Sequence, residues 1–147
     1  MIAAVKTALI EMMQDAGLAN VKGHWPVMSD GTLLKDEAQR TLPDGSVMLS
    51  LWLVERVTAD LLDDGGNLED WTHTLRLSGW RTCANAASQA AFDAEVDTVL
   101  GLFWPETTLH GAVERISAAR LVDARPVLFY NMLCHYARIE IRVEVTP

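Results

Sequence analysis

From Ala137 to Val145 the chain alternates without interruption: Ala137, Ile139, Ile141, Val143 and Val145 are apolar, while Arg138, Glu140, Arg142 and Glu144 between them are charged. Successive side chains of a strand point to opposite faces, so a period of two is the mark of a half-buried β-strand with a charged outer face. Such a strand needs neighbours for its backbone hydrogen bonds and a layer over its apolar face. Everything upstream is therefore read for further strands and for helices to cover them.

Residues 2–16 supply a helix, with Ile2, Val5, Leu9, Met12, Met13 and Ala16 on one side and Gly17 as the stop. The stretch from Asn20 to Gly45 is punctuated by Gly23, Trp25-Pro26, Asp30-Gly31, Pro43 and Asp44-Gly45, with a short helical turn expected at Leu33–Arg40. Ser46 to Val57 reads as a strand apolar on both faces, hence interior to its sheet. Ala59 to Asp70 is acidic around Gly65-Gly66 and is expected to be an exposed hairpin loop leading to a second strand, Trp71 to Arg81. Residues 85–103 place Phe92, Val96, Val99, Leu100 and Phe103 on one helical stripe, capped by Asn85 or Ser88 and ended by Trp104-Pro105. Ala112–Val122 fits a helical turn or a strand, and Pro126 marks a turn before the closing strand. The expectation is one α+β domain over residues 1–147: a small antiparallel or mixed β-sheet with two main α-helices packed on one face.

With 50% hydrophobic and 22% charged residues over 147 positions, the composition is globular. The net charge of -8 disfavours a duplex-binding protein, and the densest basic group, Arg115, Arg120 and Arg125, is diluted by Glu114 and Asp123. No apolar run is long enough to cross a bilayer. Glu11 and Asp15 stand where a signal peptide wants small residues, so the N-terminus reads as a mature helix of a cytoplasmic protein. Cys83 and Cys134 are expected to be reduced.

Catalytic patterns are missing from the sequence. His24, His73, His110 and His135 form no i, i+4 pair and no His-x-His pair, and Cys134-His135 would point to opposite faces of a strand. Only the fold could bring His73, Cys83 and His135 together. There is no Gly-x-Ser-x-Gly elbow and no phosphate loop, and Asp63-Asp64-Gly65-Gly66 lacks the spaced ligands of a calcium loop. The reading is of a non-enzyme without metal or cofactor. Of the five tryptophans (Trp25, Trp52, Trp71, Trp80 and Trp104), Trp52 reads as core. Trp71 and Trp80 lie on opposite faces by parity, so on a one-sided sheet at least one of them is expected to be partly exposed or covered by another chain.

The order of elements, with Thr41-Leu42-Pro43 ahead of the first long strand, His-Thr-Leu-Arg-Leu-Ser-Gly-Trp at His73–Trp80, and Leu109-His110-Gly111 before the closing strand, resembles a known family. It is that of the tail-terminator and head–tail joining proteins of long-tailed bacteriophages, the minor tail protein U-like group. The resemblance spans nearly the whole chain and is one of element order and texture. It implies a structural protein that forms a ring, commonly a hexamer. The ring would cap the tail tube protein, end its polymerisation and present a surface to the head-side connector protein. It further implies assembly in the host cytoplasm, a place in the virion at the head-proximal end of the tail, no membrane, and DNA passing through the lumen without sequence-specific binding. An acidic chain suits that passage.

Two self-assembly surfaces stand out in the sequence itself. Leu61 and Leu62, followed by Asp63 and Asp64, place two leucines in what reads as a loop. They would serve either a subunit contact or a strand end folding back on its own domain. Arg138, Glu140, Arg142 and Glu144 present both signs of charge on one face, as a solvated surface or as a lock between subunits. The rival readings are another phage neck or minor tail component, and a bacterial α+β enzyme or ligand-binding domain with a scattered site.

Overall fold

A computed structural model describes residues 2–24, 39–41, 43, 45, 47–62, 70–103, 108–109, 111–129 and 131–145. The first helix, α1 (Ile2–Asp15), buries Val5, Ala8, Leu9 and Met13 along one side. It ends in a Schellman motif: Leu18 N donates to Met13 O at 3.1 Å, Gly17 N donates to Gln14 O at 2.9 Å, and Gly17 takes a φ of 93° that glycine adopts without strain. Strand β1 (Val21–Lys22) then lies parallel to the middle of β3 (Val47–Leu62), and β2 (Gln39–Thr41) lies antiparallel to the start of β3. β3 and β4 (Asp70–Thr82) form a long antiparallel hairpin. Helix α2 (Ala86–Leu102) follows. Then come β5 (Arg115–Ile116), β6 (Arg120–Phe129) and β7 (Met132–Val145), with β7 antiparallel to β4 on one side and to β5 and β6 on the other.

The result is a seven-stranded sheet, made mixed by β1, with both helices on one face. This is the expected α+β architecture. The helix-side core joins Val5, Leu9 and Met13 of α1 and Phe92, Val96 and Val99 of α2 to Trp52 and Val54, Leu75 and Leu77, and Ala137, Ile139, Ile141, Val143 and Val145 of β7. Each such side chain contributes roughly 1.5–3 kcal/mol by leaving water. One row across the sheet reads Trp52, Gly79, Ala137. The small second and third residues leave a trough for the indole, which stacks on Phe92 with ring centres 6.2 Å apart.

The opposite face is not bare. Leu49, Leu51, Leu53, Trp80 and Cys134 form a second buried cluster, with Val127, Phe129, Met132 and Tyr136 packed against it. Trp80 lies between Phe129 and Tyr136, at centroid distances of 5.2 and 5.4 Å. Trp80 is thus covered by its own chain, and the sheet at this end is two-sided; Trp71 at the other end is half-buried.

Three further expectations are corrected. The stretch from Ala59 to Leu62 is strand rather than loop, because β3 continues to Leu62, which pairs with Asp70. Pro126 lies within β6 opposite His135, not in a turn. Among the described strands β6 pairs with β7 alone, and an edge strand tolerates proline's missing N–H. Gln39–Thr41, at the end of the segment expected to hold a helical turn, is strand. Ala112–Val122 resolves into a turn after Leu109, then β5, then the start of β6. Trp25-Pro26, residues 33–38, Asp63 to Glu69, Trp104-Pro105 and His110 lie outside the described residues. No helix among the described residues is long and apolar enough to cross a membrane.

Candidate functional site

The charged face is built by register. Glu55, Arg76, Glu140 and Arg120 stand side by side on β3, β4, β7 and β6, so sign alternates across the sheet as well as along β7. Arg76 and Glu140 approach to 3.9 Å, and Arg115 reaches Glu144 at 4.0 Å. The row beside them sets Thr58, Thr74 and Arg142 together; the next holds Asp60, Thr72, Glu144 and Arg115. A shallow depression of about 960 Å³ runs over this surface, lined by Asp60, Thr72, Thr74, Arg115, Arg142 and Glu144 among others. Arg138 stands one row the other way, between Ser78 and Asp123. The structure thus brings the four β7 charges onto one face. It also gives Glu140 and Glu144 partners within the chain, and half-exposed pairs of this kind are worth at most about 1 kcal/mol each.

Leu61 is placed differently from its sequence reading. A bulge between Arg56 and Thr58 shifts the register of β3, so Asp60 joins the charged face and Leu61 turns to the helix side opposite Trp71. There it is 52% exposed. Leu62 is the last residue of β3, and Asp63 and Asp64 lie outside the described residues. Leu61 thus stands on a paired strand end rather than in a loop.

The histidines do not converge. His73 sits opposite Val143 on β7 while His135 is on β7 itself, eight positions away or about 26 Å of strand. Among the described residues no three His, Cys, Asp or Glu side chains gather as metal ligands would. His135 stacks on Phe92 at 5.7 Å, and its Nε2 lies 3.0 Å from Ser88 Oγ. That hydroxyl is committed to capping α2: it accepts from the backbone N–H groups of Ala84 and Asn85, and Ser88 N donates to Asn85 Oδ1. A hydroxyl held in this way is a helix cap rather than an activated nucleophile. Burial, and then neighbouring Cys83, push the Cys134 thiol up to about 11, which keeps it protonated and unreactive. Neither cysteine is in a disulfide.

His73 is buried, and neither ring nitrogen has a hydrogen-bond partner among the described residues. Burial, and then the charge of Arg56, hold its pKa below the ordinary 6.5. Unfolded chains therefore take up this proton at higher pH than folded ones. The residue's contribution to stability is complete above 6.5 and is lost as pH falls through that value toward the folded pKa. The urea midpoint should drop between about pH 7.5 and about pH 5.5, and His73→Leu should flatten that drop. An unchanged slope in the variant would assign the effect to other groups.

Sequence reading missed a second exposed apolar region. Leu128 and Leu133 face each other across the β6–β7 hairpin, 75% and 50% exposed, and Leu121 is 42% exposed further along β6. Beside them an apolar groove of about 390 Å³ lies between α2 and β6. The available signal was Asn131, a turn residue that splits the greasy run Val127–Cys134 into two strands and takes a φ of 60°.

No family model matches the chain, and no curated protein matches it. Among solved structures, a chain from the "Virion of native gene transfer agent (GTA) particle" aligns with 97% of this chain and 96% of its own length, at 14% identity and a TM-score of 0.46. Those values assign neither a family nor a role.

Proposed function

We propose that this chain is a structural protein of a tailed phage or phage-like virion. In this reading it assembles with copies of itself into a ring at the head-proximal end of the tail tube, ends tube growth, and offers the joining surface to the head-side connector. The observation that carries the reading is the far end of the β3–β4 hairpin. Leu61, 52% exposed, and half-buried Trp71 are paired there on the strand face that elsewhere makes the core. An apolar pair held on a hydrogen-bonded ladder is suited to another subunit rather than to water. The order of elements fits the family resemblance, and the net charge of -8 suits a lumen through which DNA slides unread.

Native mass spectrometry of the purified chain over a concentration series is expected to show a closed oligomer at high concentration. Particles assembled without the protein are expected to carry overlong tubes. A strict monomer throughout, or tails of normal finished length, would sink the reading. Normal length combined with failed head attachment would point to another neck component.

A further inference from the structure

We infer that the charged sheet face is a two-fold contact between two copies of this chain, with β7 of one copy lying antiparallel over β7 of the other about an axis beside Ile141. The inference goes beyond the ring reading and does not rest on it. Register places five arginines on this face: Arg76, Arg115, Arg120, Arg138 and Arg142. The acids among them are also five: Glu55, Asp60, Asp123, Glu140 and Glu144. The patch is therefore neutral on a chain whose net charge is -8. It holds five of the chain's 12 bases but only five of its 20 acids, so the excess of acid lies elsewhere. Two copies approaching by this face meet the least mutual repulsion.

The order of signs sets the geometry. Along β7 the face runs base, acid, base, acid from Arg138 to Glu144, so reading it backwards exchanges every sign. A half-turn about an axis across the strand at Ile141 sets Arg142 over the partner's Glu140 and Arg138 over the partner's Glu144, and makes each contact twice. Arg115 and Asp123 stand beside Glu144 and Arg138, so the same half-turn sets Arg115 over the partner's Asp123. Glu55, Asp60, Arg76 and Arg120 fall on uncharged positions, and no like charges meet. The arginines are also what the chain leaves incomplete. Glu140 and Glu144 have Arg76 and Arg115 at 3.9 and 4.0 Å, whereas Arg138 and Arg142 make no ion pair among the described residues. Nε of Arg76 and of Arg138 is buried without a hydrogen-bond partner among the described residues. A carboxylate accepts from more than one donor, so a second copy's glutamates can take up both arginines. Four strands about 4.8 Å apart and about 20 Å of β7 make, with side-chain width, a patch on the order of 500 Å² per copy, at the low end for a specific contact. The shallow depression of about 960 Å³ leaves room for the side chains of two copies to interleave. Such a contact is weak and salt-sensitive.

The test uses the full chain, with each variant confirmed to unfold cooperatively at a melting temperature near that of the parent. Sedimentation and native mass spectrometry should show the parent pairing at about 50 mM salt and pairing at least about tenfold more weakly at about 500 mM. Arg142→Glu alone and Glu140→Arg alone should each pair at least about tenfold more weakly than the parent, because like charges then meet twice. Mixed in equal amounts, the two variants again set opposite charges against each other at both contacts. The mixture should form one-to-one pairs of near-parental strength. Arg138→Glu with Glu144→Arg repeats the test at the outer contacts, and serves where Glu140→Arg does not fold. A mixture no stronger than either variant alone overturns the two-fold arrangement. A parent whose pairs ignore both salt and these substitutions overturns the face as the contact, and a parent that stays monomeric at low salt overturns the inference outright. If the parent forms rings, pairing by this face makes them double, and Arg142→Glu should leave single rings. Rings of unchanged size would overturn this inference and leave the ring reading standing.

Discussion

Gly79→Ala should unfold at markedly lower urea concentration than the parent, although it adds a single methyl group to the middle of a strand. A Cβ at this position would lie 2.6 Å from Cζ2 of Trp52 and 2.7 Å from its Cε2 and Cη2, inside the contact distance of two carbons. The indole cannot move aside. It is fully buried and stacked on Phe92, its ring lying in the trough left by Gly79 and Ala137. Overpacking of a fixed core costs about 1–3 kcal/mol, and a rigid aromatic neighbour puts this site at the upper end. A loss near ~3 kcal/mol lowers the melting temperature by roughly 10 °C in a domain of this size. The cause is isolated by repeating the change in a Trp52→Leu background. That substitution carries its own cost but opens the trough, so Gly79→Ala should then cost less than about 1 kcal/mol. Equal costs in the two backgrounds would show that the strain lies in the β4 backbone and not against the indole.

Gly79 also shows where sequence reading stopped. Alternation along β3, β4 and β7 made the faces of each strand legible. The row Trp52, Gly79, Ala137 depends on register across strands, which no single strand encodes. The same limit applied to the charged face. Arg138 to Glu144 were legible as one face, but the partners that satisfy Glu140 and Glu144 sit on β4 and β5. Leu61 was identified as a contact candidate in the wrong setting. Acidic residues and Gly65-Gly66 read as a loop from Ala59 onward, whereas pairing with Asp70–His73 gives that backbone a ladder, and a bulge near Val57 decides which way Leu61 points. The groove between α2 and β6 was missed because Pro126 signals a turn when the neighbours of its strand are unknown. Parity placed Trp71 and Trp80 on opposite faces correctly. Trp71 is the one left half-buried, while Phe129 and Tyr136 fold over Trp80.

A second large effect is expected at Asn20, where three segments are tied by one side chain. Its side-chain Nδ2 donates to Gln39 O at 3.1 Å and to Ser50 O at 2.9 Å, and the backbone carbonyl of Asn20 accepts from Trp52 N at 3.2 Å. Its φ of 55° lies in the left-handed region, which asparagine tolerates better than any residue but glycine. Asn20→Ala loses both amide bonds, leaves the carbonyl of buried Ser50 deprived, and places a Cβ without compensation at positive φ. Two bonds at about 1 kcal/mol each, with about 1 kcal/mol of backbone strain, give a loss near ~3 kcal/mol. Asn20→Gly removes the strain but not the missing bonds, so it should recover about 1 kcal/mol of that loss. Asn20→Asp keeps shape and backbone preference but aims a carboxylate at two carbonyl oxygens. It should be the least stable of the three at neutral pH, and should gain relative to Asn20→Ala near about pH 4, where a protonated carboxyl can donate one bond. Urea titrations of the series at both pH values test that order. If glycine and alanine prove equally costly, left-handed strain plays no part; if aspartate matches asparagine at neutral pH, the amide is not the tie that joins β1, β2 and β3.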